Sequence, residues 1–576
     1  MYFATLDFLL FIVPVLAGYW MLSNHPMVRG LWLIGASYFF YMAGSRPPDG
    51  SLPTAWYYVG LLAFSTVLNY VAAARIDRLA AARGDASESS RRRAQQGRAL
   101  WLGAALAGNL GLLAYFKYTN FAIEAFCDVA NALGADLIAP QLQLLMPIGI
   151  SFYTFQSLSY TIDVWRGSLR PEPSFRKFVL FVAFFPQLVA GPIVRASEFL
   201  PQLHRRPRLS RQAVGEALFR ITKGMFKKVV FGDWIPVVFS DLVFTAPENY
   251  TSLEHLLALY AFTLQIYGDF SGYSDIAIGV AKLMGFDMPE NFDRPYQARG
   301  VGEFWRRWHM TLSTWLRDYL FFPLGGSRKS PARTYFNLWL TMFLVGMWHR
   351  ASWNFIIYSN VHAFAMLFNR WNTRRRAAHR AVGLGAFAGG LVLGGISYGL
   401  GVGVLELSSR GAAVLTWIVL AGAAGSVFVP EDARRWSTAV HILLTFHFTV
   451  LSRVFFQAAD LDTARIITQR LVDWDGRGFR PGLFRVESWR SFFDHPPLDL
   501  PEIIVSTGQW CAEHGVLLVL IAGLGYHFTP RSWVDDHLGR RFAALPGPVI
   551  GVILALLGAL LVDLLDGPRA NIYFAF

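Results

Sequence analysis

The sequence predicts an all-α polytopic membrane protein, and three observations carry that expectation. Of 576 residues, 54% are hydrophobic and only 16% are charged, well short of the roughly 25% charged residues of a soluble domain. Apolar runs long enough to cross a hydrocarbon core about 30 Å thick recur from one end to the other. Lys and Arg gather in short connectors between those runs, the charge bias that orients membrane helices.

The elements follow in order. The opening "MYFATLDFLLFIVPVLAGYW" has no basic leading region and no small-residue cleavage site, so it reads as a retained first helix over 5–22. Runs at 30–45, 56–74 and 99–116 come next, divided by an Ala, Ser and Arg-rich connector at 75–98. Its Arg75, Arg78, Arg83, Arg91, Arg92, Arg93 and Arg98 assign it to the cytoplasm. Runs at 177–195, 224–244, 253–266, 333–348 and 352–369 lead to a second basic connector, with Arg370, Arg374, Arg375, Arg376 and Arg380, assigned to the same side. The last runs are 384–406, 412–429, 437–457, 515–528 and 547–565. Several are short or broken by Gly and Pro, so about a dozen crossings are expected. The longest polar connector, 458–512, is expected to hold short surface helices, and charge does not decide its side.

The chain reads as one membrane domain over 1–576 in three parts: N-terminal helices (1–114), a core rich in polar and aromatic residues (115–370), and supporting helices (371–576). The net charge of +13 is accounted for by membrane topology. No polar segment is long enough to fold into a domain gripping a duplex, so the expected partner is the lipid bilayer and not nucleic acid. Cys127 and Cys511 are too few for a disulfide framework or a cysteine metal site.

Ionisable residues at membrane depth cost several kcal/mol unless they face a cavity or a partner. The richest stretch is 267–326, "YGDFSGYSDIAIGVAKLMGFDMPENFDRPYQARGVGEFWRRWHMTLSTWLRDYLFFPLGG". Asp269 and Asp275 sit there among Tyr, Phe, Gly and Ser, either bonded to backbone and hydroxyl groups to fix a bend or acting directly in chemistry. From Gly302 to Leu320 the spacing predicts one helix with Arg306, His309, Ser313 and Arg317 on one face, amid Trp305, Trp308, Leu312 and Trp315. Arg306 and Arg307 suit phosphate groups, because guanidinium matches phosphate geometry; the plainer reading is an interfacial helix with snorkelling arginines. In "GMWHRASWNF" (346–355) the plain reading is a helix end with Trp348 and Trp353 at the interface and Arg350 snorkelling. A histidine is also the natural general base near neutral pH, which makes His309 and His349 candidates. His362 follows His349 by 13 residues, a rotation of about 220° in an unbroken helix, so that pair is not expected to bind a dinuclear metal.

Seven motifs, in order, resemble a known family. They are "YFKYTNF" (115–121), "PIGISFYTFQSLSYTIDVWRG" (147–167), "FFPQLVAGPIVRASEFLPQL" (184–203), "DFSGYSDIAIGVAKLMGF" (269–286), "PENFDRPY" (289–296), "FWRRWHMTLSTWLRDYLFFPLGG" (304–326) and "MWHRASWNF" (347–355). "LLTFHFTVLSRVFFQA" (443–458) and the ending "IYFAF" add to them. The sequence is identified as a member of the membrane-bound O-acyltransferases (MBOAT), in the bacterial branch of alginate O-acetylation proteins.

The resemblance implies about 11–14 transmembrane helices, with re-entrant or interfacial helices, around a central funnel in the bacterial inner membrane. It implies His349 as the catalytic histidine and His309 as the second functional position. Asn291, Ser313, Arg317, Asp318, Trp348 and Arg350 join Arg306, Arg307, Asp269 and Asp275 as substrate-binding candidates. It implies transfer of an acetyl group from a cytoplasmic thioester, with acetyl-CoA as a substrate and no permanently bound cofactor. A periplasmic SGNH-hydrolase-type partner then passes the group to a polysaccharide such as alginate or cellulose. The chain departs from the family at Arg350, where Gly is usual, at "VHAF" (361–364), where "LHG" is usual, at Arg453, where Trp is common, and at Ala575, where Gln is common. Arg350 would be placed to bind donor phosphate or a developing oxyanion. Two other classes compete: a transporter or flippase using the buried charges as a pathway, and a noncatalytic scaffold for a periplasmic acetyltransferase.

Overall fold

The computed structural model describes Phe3 and residues 6–44, 52–81, 87–144, 146–377, 384–429, 435–484 and 501–565. Arg83, Arg380, residues 485–500 of the long connector and the ending at 572–576 therefore lie outside the described residues. All regular structure among the described residues is helical.

Among the described residues, five helices are long and apolar enough to cross a membrane: Trp56–Ala81, Glu88–Ala132, Ser409–Phe428, Arg435–Gln457 and Glu502–Phe528. A pair bent by 120°, Ser532–Ala544 and Gly547–Gly558, makes a sixth if it is one span. Other apolar runs became interior structure. The 177–195 run folds as Phe175–Ala183 and Phe185–Leu188, interrupted before Pro186, and both pieces are buried. The 224–244 run contains two π-helical stretches, Lys227–Trp234 and Pro236–Ser240. The 253–266 run is the first half of a 32-residue helix, Ser252–Leu283, buried almost throughout. Walled by protein and not lipid, these elements can carry polar side chains that an exposed span cannot.

Ser252–Leu283 is the axis of the core. It starts with a reciprocal capping box in which Thr251 and Glu254 satisfy each other's backbone N–H groups, and Arg480 from the long connector binds the buried Glu254 carboxylate at 2.6 Å. Helix Arg211–Phe226 and its π-helical continuation pack along it through small residues. A Cβ on Gly272 would lie 2.7 Å from the Gly224 carbonyl oxygen, and one on Gly268 would lie 2.8 Å from the Lys227 carbonyl oxygen. Gly268 and Gly272 thus form the small-xxx-small seam that lets membrane helices approach closely.

The two basic connectors lie at one end of the bundle. Arg98 donates to the Trp165 carbonyl, Arg166 to the Asp318 carbonyl and Arg370 to the Ser327 hydroxyl. Helix Pro331–His349 starts at that end and runs 19 residues, about 28 Å at 1.5 Å per residue, so His349 lies near the opposite end. The long connector supplies the expected short helix, Leu461–Val472.

The Gly268–Gly272 seam yields a direct test. Gly272→Val should lower the stability of the detergent-purified protein by about 1–3 kcal/mol through overpacking, read as a fall in Tm.

Candidate functional site

The predicted helix over 302–320 is broken at its centre. Val301–Arg307 and Met310–Leu316 are separate helices, and His309 between them adopts the left-handed conformation, φ 43° and ψ 56°. Arg306 and His309 therefore do not share a helix face. The break forms because loop 291–293 competes for the backbone: Asp293 N–H donates to the Arg307 carbonyl, and Met310 N–H to the Asn291 carbonyl. Ser313 ties the two pieces through a 2.8 Å hydrogen bond to the Trp305 carbonyl.

Asn291 fixes the histidine. Its Oδ1 accepts from His309 Nδ1 at 3.0 Å and from the Thr311 hydroxyl at 2.9 Å, while its Nδ2 donates to Ser274 Oγ. With the proton held on Nδ1, the neutral ring presents a bare lone pair on Nε2. That atom is enclosed and has no hydrogen-bond partner among the described residues. The ring is 1% exposed and is walled by Phe270, Phe152 and Trp348.

His349 ends its helix, and the break at 350–352 separates it from Trp353–Ala377, which carries His362. The unbroken helix used to judge that pair is therefore absent. Both rings join one aromatic cluster: His349 meets Phe456 at 6.0 Å, Phe456 meets Tyr358 at 5.2 Å, and Tyr358 meets His362 at 4.5 Å. Trp348 bridges the two candidate histidines, 4.9 Å from His349 and 6.2 Å from His309.

Two cavities reach this point. One is lined by Lys117, residues 146–152, Val189, Trp348 and His349. Lys117 stands 19 residues along its helix from Arg98, which places this cavity away from the basic end, and its ammonium lies 5.2 Å from the Trp348 ring. The second is lined by Arg220, Lys223, Lys227, Asp275, Glu290, Asn291, Arg294, Arg531 and other residues. Asn291 and Phe152, from opposite cavities, both touch His309. The imidazole therefore stands between them.

Among the described residues, Asp269 and Asp275 bond neither backbone nor hydroxyl groups as a bend would require; they are counter-ions. Asp269 pairs with Lys228 at 2.6 Å, and Asp275 with Lys227 at 2.6 Å and Arg220 at 2.9 Å. Lys228 also binds Asp233. Adjacent lysines both reach the Ser252–Leu283 helix from the π-helical stretch Lys227–Trp234, a geometry that often marks functional sites.

The arginine candidates scatter. Arg306 is exposed, whereas Arg307 is held by Glu303 at 2.7 Å. Arg317 and Arg195 both bind Asp318, near Tyr319, away from the histidines. Arg350 is extended and half-buried; its backbone N–H donates to the Gly346 carbonyl, and its side chain has no hydrogen bond or ion pair among the described residues. The cations whose fields reach His349 are Lys117 and Arg453. Sequence reasoning missed Lys117, although "YFKYTNF" placed a lysine inside an apolar helix. It noted Arg453 only as a departure.

Comparison with known proteins decides the class. The family model for membrane-bound O-acyltransferases matches residues 151–388. A probable alginate O-acetylase of Azotobacter vinelandii is 39% identical over 64% of this chain and 69% of its own length. The chain belongs to the membrane-bound O-acyltransferase family. A peptidoglycan O-acetyltransferase of Helicobacter pylori is 33% identical over 64% of the chain and 70% of its own. A teichoic acid D-alanyltransferase of Bacillus subtilis is 30% identical over 41% and 62%. Membership makes this MBOAT protein a multi-pass membrane O-acyltransferase, and sets aside the transporter and scaffold readings. The matched segment contains both histidines, Asn291 and the Asp269–Asp275 charge network.

Replacing Asn291 by Ala removes the acceptor shared by His309 and Thr311. The expected cost is about 1–3 kcal/mol of stability for the buried groups left unpaired, seen as a lower Tm, together with at least a tenfold loss of acyl transfer.

Proposed function

We propose that this protein O-acetylates an extracytoplasmic polysaccharide, taking the acetyl group from a cytoplasmic thioester, with acetyl-CoA as the donor. The observation that carries the reading is the position of His309 and His349 where two cavities of unlike chemistry meet. The charged cavity, where Arg and Lys side chains stand among Asp275, Glu290, Asp293 and Asp535, is the proposed seat of the phosphates of a coenzyme thioester. The cavity beside His349 has aromatic and backbone walls suited to an acceptor hydroxyl. The named activities of the alginate and peptidoglycan relatives support acetyl as the group and a polysaccharide as the acceptor. Gathering of the basic connectors at the end opposite His349 supports the polarity, with the donor entering from the cytoplasm and the acceptor from outside. The bacterial inner membrane is the proposed location, and that polarity supports it.

In the proposed reaction the acceptor hydroxyl attacks the thioester carbonyl while His349 takes its proton. His309, with its tautomer fixed by Asn291, orients the acceptor by accepting at Nε2 a hydrogen bond from a second, neighbouring hydroxyl of the acceptor sugar, leaving the proton of the attacking hydroxyl to His349. Collapse of the tetrahedral intermediate expels the thiolate, which recovers the proton from His349. A periplasmic SGNH-hydrolase-type protein is the proposed receiver of the acetyl group where the final polymer lies beyond the membrane.

The test is turnover of labelled acetyl-CoA in proteoliposomes holding an alginate oligosaccharide. His349→Ala should lower kcat by 10² to 10⁴-fold, the usual contribution of a general base. A folded His349→Ala protein with near wild-type turnover contradicts the assignment. Labelled acetyl should appear on the oligosaccharide only when it faces the side opposite the donor.

A further inference from the structure

Arg453 is among the largest fully enclosed side chains in the protein, at 2% exposure, yet no carboxylate pairs with it among the described residues. Its contacts are neutral. One Nη donates to the Tyr296 hydroxyl at 3.1 Å, and the guanidinium lies 5.3 Å from the Trp308 ring and 5.8 Å from the Tyr296 ring. Its Nε–H has no hydrogen-bond partner among the described residues. Cation–π contacts offset only part of the desolvation cost of such a burial. Buried Lys227 and Lys228 each have a carboxylate, and buried Arg294, which has none among the described residues, is instead held by the Tyr526 and His527 carbonyls.

The surroundings explain what the charge awaits. Trp308 precedes His309 in the chain, and Arg453 begins the turn Val454–Gln457 that sets Phe456 against His349. The fields of the guanidinium reach His349 and His362. Around it, the indole N–H groups of Trp305 and Trp348 are enclosed and donate to nothing among the described residues. Both can only donate. The interior beside the two histidines therefore offers N–H donors and the positive charges of Arg453 and Lys117, with no anion among the described residues to receive them.

We propose that Arg453 is a catalytic residue of this acyltransferase, holding the thioester carbonyl oxygen and neutralising the oxyanion that forms on it. The inference rests on the acyl-transfer reading above. As the acceptor oxygen bonds to the carbonyl carbon, the C=O π pair moves onto oxygen and pairs with the guanidinium, while the acceptor proton goes to His349. When the pair returns, the C–S bond breaks, and the departing thiolate takes the proton from His349. The net change is ester plus thiol from alcohol plus thioester. A fixed charge bearing no counter-ion before the reaction is already oriented for the charge that develops, which is the condition for strong electrostatic stabilisation.

The experiment compares wild type, Arg453→Lys and Arg453→Met in proteoliposomes with acetyl-CoA and an alginate oligosaccharide. Arg453→Met should lose 10² to 10³-fold in kcat, the usual cost of an oxyanion donor, with KM for acetyl-CoA changed less than threefold and Tm unchanged or raised. Arg453→Lys should retain an intermediate rate. A folded Met variant within tenfold of wild-type kcat overturns the proposal, as does a loss expressed in KM alone. If the Met variant does not fold, Arg453→Lys at full wild-type kcat together with Arg453→Gln at full kcat overturns it equally. Wild-type protein inert towards acetyl-CoA overturns the donor reading and this assignment with it, whereas active wild type with an active Met variant overturns this assignment alone.

Discussion

The hydrogen bonds converging on Asn291 set the geometry on which the rest of the site depends. One carboxamide oxygen receives the His309 ring and the Thr311 hydroxyl, and the Asn291 backbone carbonyl receives the first N–H of the following helix. Those bonds replace the ones an unbroken helix would have made, and they hold His309 in a backbone conformation that non-glycine residues rarely adopt. In a continuous helix the imidazole would point with Arg306 and Ser313. Broken, the chain turns it inward between two cavities.

The charge network supports the same point from the other side. Asp269 and Asp275 lie on the core helix, whose Gly268–Gly272 seam admits the π-helical segment closely enough for Lys227 and Lys228 to reach them. Buried ion pairs contribute little net stability, but removal of one partner is costly, so the network fixes the register of two helices more than it strengthens them. Asn291 borders this network and His309 together. The wall of the charged cavity is therefore rigid where it meets the chemistry. Arg453 has no carboxylate partner among the described residues and packs on Trp308, next to His309 in the chain.

The fold class was legible in composition and charge placement, because hydropathy and the positive-inside bias are local properties of the chain. The family and the pair His309 and His349 were legible from ordered motifs. What failed was periodicity. The spacing of Arg306, His309, Ser313 and Arg317 is helical, but the hydrogen bonds that break the helix come from loop 291–293, and no local pattern encodes a competitor elsewhere in the chain. Likewise, adjacent Lys227 and Lys228 look like a surface doublet until a π-helical turn and a glycine seam bring them to opposite carboxylates. The apolar runs at 177–195 and 253–266 fold as buried helices, since hydropathy does not distinguish a helix walled by protein from one walled by lipid. Lys117 and Arg453 enter the site only through packing of distant helices, and sequence spacing carries no trace of that.

The central claim is that the histidines stand where cavities from opposite faces of the membrane meet. It is tested most directly by thiol accessibility in oriented vesicles, using a protein whose Cys127 and Cys511 have been replaced. Lys117→Cys should react with a membrane-impermeant maleimide only from the extracytoplasmic face, and Asp535→Cys, at the charged cavity, only from the cytoplasmic face. Labelling of both positions from the same face would contradict the account.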